Sequence, residues 1–288
     1  MSATPPSTLS SRLSALTQRR GLSGRSARQV LERAALLQLP FQPLASWSAS
    51  IWWLSGAPLQ NLPELPRSAL SGPVQEDKAA AHAVLVKLVE QQQQKLESFD
   101  LRAIDGLMGC KGNQPDCASF EDYLATLDQR QVRIISYKDF VSAISQPLPR
   151  FLAGERIQLT QASWHGSRYF WNGEHSTEIL ANAIVYARRR ELEVTLPAQI
   201  TRYRISPGGL KQLDTHYHML AMPVQAWSHE PFMSLLLDTG MPYARLTLTR
   251  SAEFLMLPKQ HAQATALGEG LRLAGAADVC EFLRQYTA

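Results

Sequence analysis

Arg168-Tyr169-Phe170-Trp171, then Asn172-Gly173-Glu174-His175, then Ser176-Thr177-Glu178-Ile179-Leu180 is the stretch on which the fold class turns. The aromatic quartet predicts a short strand, because bulky rings suit a pleated, half-buried surface. Asn172-Gly173 breaks it. Ser176 predicts a helix N-cap, and Ile179, Leu180, Ala183, Ile184 and Ala187 then fall at helical spacing on one face. Arg188, Arg189 and Arg190 crowd the last turn, where cations suit the negative end of the helix dipole. Upstream, residues 157–160 read as a strand that turns at His165-Gly166 and pairs with 168–171. Downstream, 193–205 reads as another strand. A hairpin followed by strand-helix-strand alternation predicts α+β, with a mixed central sheet and flanking helices.

Further out, strands are expected at 132–137, 218–222, 243–249 and 253–257. Helices are expected after Ser119, over 138–144, and at 229–239, 261–273 and 277–286. The chain before residue 100 reads as mainly helical. Ser26 with Gln29 forms a capping box for a first helix whose stripe is Val30, Leu31, Ala34, Ala35 and Leu37. Residues 77–97 read as the longest helix. Between these helices the chain carries Pro40, Pro43, Pro58, Pro63, Pro66 and Pro73 with Trp47, Trp52 and Trp53, which predicts irregular chain whose rings pack onto something. Three parts follow: a flexible basic tail over 1–25, a helical N-terminal region over 26–100 with a Pro/Trp-rich segment at 41–74, and an α+β main domain over 101–288.

The 288 residues carry 29 Lys+Arg against 25 Asp+Glu, a net +4 that is too dispersed to establish nucleic-acid binding on its own. The most basic end is the tail, with Arg12, Arg19, Arg20 and Arg25 and no acidic residue through position 25. It reads as a frayed end before it reads as a nucleic-acid arm. No window approaches the ~18 consecutive apolar residues of a membrane span. Cys110, Cys117 and Cys280 form no complete disulfide framework, and six residues between the first two fit neither a redox pair nor a zinc knuckle. Nothing near Met1 resembles a secretory core, so a reducing cytoplasm is the expectation.

Three constellations bear on chemistry. Gly173-Glu174-His175 stands where a strand becomes a helix N-terminus, and glycine there allows a phosphate to approach free amides and the positive end of the dipole. With Gln146-Pro147-Leu148-Pro149-Arg150 upstream, residues 132–205 resemble the ParB/sulfiredoxin-like superfamily, in which a strand ends in a Gly-acid-(Arg/His)-Arg box that opens a helix. This chain has Ser176-Thr177 where that box carries its last Arg. The resemblance implies nucleotide-phosphate binding by Arg150, Gly173, Glu174, His175 and Ser176, in a noncatalytic accessory protein associated with nucleotide or DNA.

Trp164-His165-Gly166-Ser167-Arg168 resembles the strand motif that opens the ADP-ribosyltransferase fold, which would make His165 part of an enzyme site. The next tyrosine after Tyr169, Tyr186, falls inside the helix, so a plain turn is the preferred reading. In Asp214-Thr215-His216-Tyr217-His218, an extended chain would place His216 and His218 on one face, as a metal pair requires, with His229 or His175 as a third ligand and Asp214 orienting an imidazole. Ordinary polar residues are the preferred reading there too, and no metal or cofactor is named by the sequence. The Trp/Pro-rich segment 41–74 offers a further alternative, a protein-docking surface.

Overall fold

The computed structural model describes residues 22–47, 49–53, 58–109, 116–127, 133–166, 168–247 and 252–287. In chain order the helices are α1 (Leu22–Ala35), α2 (Gln75–Leu85), α3 (Phe120–Thr126), α4 (Tyr137–Ile144), α5 (Thr177–Arg189), α6 (Pro207–His216), α7 (Glu230–Thr239), α8 (Ala262–Leu273) and α9 (Val279–Arg284). The strands are β1 (Leu70–Ser71), β2 (Val89–Asp100), β3 (Ile104–Leu107), β4 (Ile157–Ala162), β5 (Tyr169–Trp171), β6 (Thr195–Ile205), β7 (Tyr217–Pro223), β8 (Ala244–Thr247), β9 (Ala252–Pro258) and β10 (Ala277–Asp278). The fold is α+β, carried by two five-stranded sheets. Each sheet belongs to its own compact unit. One unit takes the chain up to Leu44 with Glu64–Leu88 and Pro207–Gln285; the other takes Ala45–Pro63, Val89–Ser206 and Tyr286–Ala288.

The second of these units holds the mixed sheet, in the order β2-β6-β4-β5-β3. β4 and β5 form the expected antiparallel hairpin, β6 runs parallel to β4 and antiparallel to β2, and β3 runs parallel to β5. Leu159, Ala198, Ile200 and Trp171 meet Leu180, Ala181, Ala183, Ile184 and Ala187 of α5 in one core, so the stripe read from the sequence is buried except at Ile179, which is half-buried. Arg188 does more than complement the dipole. Its Nε donates to the Arg102 carbonyl at 2.9 Å and its Nη2 to the Ile104 carbonyl at 2.8 Å, which fixes the entry to β3.

The other unit has an antiparallel sheet in the order β1-β8-β9-β7-β10. Leu220, Met222, Leu255 and Leu257 pack against Val30 and Ala34 of α1 and Leu267 and Leu271 of α8. The two helices touch closely at Gly270, where a Cβ would lie 2.6 Å from the Leu31 carbonyl oxygen. Among the described residues no helix is long and apolar enough to cross a membrane.

Four local expectations are corrected. The helix read over 77–97 stops at Leu85, and β2 pairs with β6 through ten residue pairs. Straight-chain glutamines tolerate a helix well, so local propensity misled, and long-range pairing overrode it. The strand read over 132–137 is absent from its described part, 133–137. There the Ser136 Oγ accepts from the Asp139 amide at 3.2 Å while the Asp139 carboxylate accepts from the Ser136 amide at 2.9 Å, a capping box that starts α4. Ser26 is no N-cap. It lies inside α1, and its hydroxyl accepts from Gln263 Nε2 at 2.6 Å. The tail expected over 1–25 lies outside the described residues up to 21, while 22–25 already belong to α1.

The compact units are not drawn at the expected division near residue 100: Val89–Ser206 groups with Ala45–Pro63 and Tyr286–Ala288, and β2 pairs with β6 across residue 100.

Candidate functional site

β5 ends at Trp171, and the chain is then tied back to β4: the Asn172 amide donates to the Gln158 carbonyl at 3.0 Å, and Thr160 Oγ1 donates to Asn172 Oδ1 at 2.9 Å. Gly173 follows with a local reason to be glycine. A Cβ there would stand 2.0 Å from Trp171 Cζ2, so the indole fills the space a side chain would need. Glu174 and His175 are exposed. Ser176 holds φ +55° and ψ +35°, in the left-handed region, and its hydroxyl makes no capping bond. The expected side-chain cap is therefore corrected. An N-cap needs extended backbone to aim its oxygen at the first-turn amides, and a left-handed residue aims it elsewhere. The Ser176 carbonyl still accepts the first helical bond, from Leu180 at 3.0 Å. The amides of the first turn of α5 are thus left without a side-chain acceptor from the cap, beside one carboxylate, Glu178.

Arg150 is exposed, and its amide donates to Glu155 Oε2 at 2.9 Å. Among the described residues no hydrogen bond or ion pair joins it to Gly173, Glu174, His175 or Ser176. The loop is one continuous feature to which the upstream arginine is not bonded among the described residues.

His165 closes the 3-10 turn Ser163–His165 after β4, and Gly166 takes φ +69° and ψ −148°, which suits glycine alone. The turn reading describes it well. The imidazole is 8% exposed and lies 4.7 Å from the Trp53 ring and 5.2 Å from the Phe170 ring, centroid to centroid. Burial, reinforced by the charge of Arg168, pushes its pKa from 6.5 down to about 4, so it is neutral at physiological pH. Trp164 Nε1 is buried beside it without a hydrogen-bond partner. Arg168 donates to the carbonyls of Ser50 (2.7 Å), Asp105 (3.0 Å) and Ala118 (3.2 Å), and so acts as a pin for three distant segments.

The docking-surface reading of 41–74 loses its basis. Trp52 and Trp53 are 6% and 2% exposed, the first set edge-on against Tyr123 at 5.2 Å. Trp47 is half-buried against Tyr286.

The His216/His218 pair is not a pair. His216 is the last residue of α6, exposed, with Nδ1 2.8 Å from the Gln212 carbonyl, whereas His218 lies in β7 and is 7% exposed. A helix-to-strand junction between them removes the period-two alternation on which the shared face depended. Both His218 ring nitrogens are buried and unpartnered, and burial holds its pKa below the ordinary value. Asp214 pairs with Lys259 at 3.1 Å and with Arg284 rather than with an imidazole. Among the described residues no three His, Cys, Asp or Glu stand where they could hold a metal ion. Cys117 and Cys280 are buried free thiols, the latter pushed up to about 12 by burial and then by Asp278 and Asp214; Cys110 lies outside the described residues.

One further feature has no signature in the sequence, an open groove of about 390 Å³ lined by Leu44, Arg272, Ala277, Asp278, Glu281 and Phe282. Its walls come from chain ends more than two hundred residues apart in the sequence, which no local pattern records. Arg272 is already shared by Asp278 (3.6 Å) and Glu281 (4.0 Å).

The family model for DUF6685, a family of unknown function, matches residues 93–288, more than half of the chain. The chain belongs to that family. No curated protein matches it, and no solved structure does.

Proposed function

We propose that the protein is a noncatalytic, nucleotide- or DNA-associated accessory protein that holds a phosphate group at the start of α5. One observation carries this reading: a thirteen-residue helix opens without a side-chain cap, from a glycine loop at the end of a strand, so its first-turn amides are donors in search of an acceptor. The exposed His175 stands next to them, and the chain's net +4 favours an anionic ligand. In this reading the phosphate sits on the amides after Ser176. Gly173 contributes by letting Trp171 fold under the loop, and Arg150 is not required.

Titration calorimetry with CTP, ATP, GTP and a short DNA duplex is the direct test, its nucleotide and duplex arms separating the two sources of phosphate. Binding should weaken as salt rises. Glu178→Gln, which removes a carboxylate from the anion's doorstep, should tighten binding about threefold, in line with the usual size of a charge effect at a helix end. Flat titrations with all four ligands would refute the reading.

A further inference from the structure

The open groove at the end of α8 lies wholly within the unit of the antiparallel sheet. Its shape follows from a tight reversal of the chain. Gly275, at φ +108°, donates its amide to the Arg272 carbonyl at 3.0 Å, and the Ala276 amide donates to the Leu271 carbonyl at 2.9 Å, so α8 stops there and β10 leads straight into α9. Arg272, in the last turn of α8, therefore meets Asp278 and Glu281 in the groove, where Leu44 and Phe282 supply apolar wall. The charges are unspent. Arg272 stands 3.6 Å from Asp278 and 4.0 Å from Glu281, beyond hydrogen-bonding reach, and among the described residues its guanidinium donates no hydrogen bond. Asp278 is committed to capping α9, its Oδ1 accepting from the Glu281 amide at 3.1 Å. The Glu281 side chain is 71% exposed, and among the described residues its carboxylate has no partner nearer than Arg272.

We propose that the groove binds the zwitterion of a free α-amino acid with an apolar side chain, its carboxylate on Arg272, its ammonium on Glu281 and its side chain against Leu44 and Phe282. Charge decides the class of ligand. A simple anion would meet two carboxylates beside the one guanidinium, and a simple cation would meet that guanidinium between them, so each gains little from the groove. A ligand that carries both charges satisfies both walls. Spacing then decides which zwitterion. The charged groups of Arg272 and Glu281 are 4.0 Å apart, and standard bond lengths hold the two poles of an α-amino acid about 3 Å apart. An ω-amino acid carries its poles at the two ends of its chain and leaves no apolar group free for Leu44 and Phe282. The volume of about 390 Å³ suits a ligand of this size, at the lower end of small-molecule sites.

Titration calorimetry of the full chain with leucine is the test, and saturable binding is expected. Leucinamide and N-acetyl-leucine each lack one of the two charges, and each should bind the wild type about tenfold more weakly, as the loss of one charge-assisted hydrogen bond implies. ε-Aminocaproic acid, an isomer of leucine with its charges at the chain ends, should also lose about tenfold. These comparisons need no variant. Glu281→Gln should weaken leucine about tenfold and leave N-acetyl-leucine no weaker, whereas Arg272→Gln should weaken leucine and leave leucinamide no weaker, because each derivative already lacks the group that the variant would fail to hold. A flat titration with leucine, equal affinity for leucine and its ω-isomer, or either derivative binding as tightly as leucine would each overturn the proposal.

Discussion

The imidazole of His218 occupies the space above Gly268. A Cβ on that glycine would lie 2.7 Å from both Cγ and Cδ2 of the ring and 2.9 Å from the histidine's own Cβ. Helix propensity alone would favour alanine in the middle of α8 by up to about 1 kcal/mol. The clash reaches the rigid base of the side chain, so overpacking wins, and Gly268→Ala should cost about 1–3 kcal/mol. Thermal or urea unfolding measures it. In the double variant Gly268→Ala/His218→Ala the glycine change should cost less than it does alone, because the two residues share one space. Additive losses would mean that the contact does not limit packing.

His165 should make the protein sensitive to acid. Its folded pKa is about 4, against 6.5 for the free side chain, so the unfolded chain takes up a proton that the folded protein refuses. Above 6.5 the residue is neutral in both states and stability is unaffected by it. As pH falls from 6.5 toward about 4 stability declines, and it levels off below the folded value. The loss approaches the order of 3 kcal/mol. Denaturant titrations of the wild type and His165→Phe over this interval isolate the contribution from that of the carboxylates. The variant should lose the decline, and equal slopes would place the imidazole in contact with water.

Ile184, 1% exposed in the core beneath α5, tests the element that the sequence declared most plainly. Ile184→Asp buries an unpaired charge there and should cost more than about 4 kcal/mol, enough to remove the protein from the soluble fraction. Normal expression with a wild-type circular dichroism spectrum would contradict the packing of that helix.

Arg168 should be intolerant even of lysine. Its planar guanidinium reaches the carbonyls of Ser50, Asp105 and Ala118 at once, a geometry that a single ammonium cannot reproduce. Arg168→Lys should lose about 2–4 kcal/mol in urea unfolding. The exposed Arg190 is the control, where the same change should be near neutral.

What the sequence disclosed, and what it hid, follows from distance along the chain. The hairpin of β4 and β5, the stripe of α5 and the strands β7 and β9 are encoded in their own residues, by alternation, helical spacing and a glycine turn, and they were legible. β2 was not. Gln93 meets Gln199 across 106 positions, and a run of glutamines gives no local reason to be a strand. The site was legible as an outline only. Gly173 marked a real turn before a helix, but the glycine serves the Trp171 ring, and the left-handed Ser176 leaves no trace in residue type. The His216/His218 pattern failed for the same kind of reason, since the end of α6 between them is set by packing rather than by spacing.

Ser26 of α1 and Gln263 of α8 are bonded across 237 positions. During synthesis the amphipathic first helix therefore waits for its partner. At ~5–20 residues per second the delay is roughly 10–50 s. The strands of the mixed sheet, in contrast, are all present once Ile205 has emerged, before any of β7 to β10 has been made. For that interval Val30 and Ala34 have no helix to pack against, and the nascent chain offers chaperones an apolar helix face well before the antiparallel sheet can close over it.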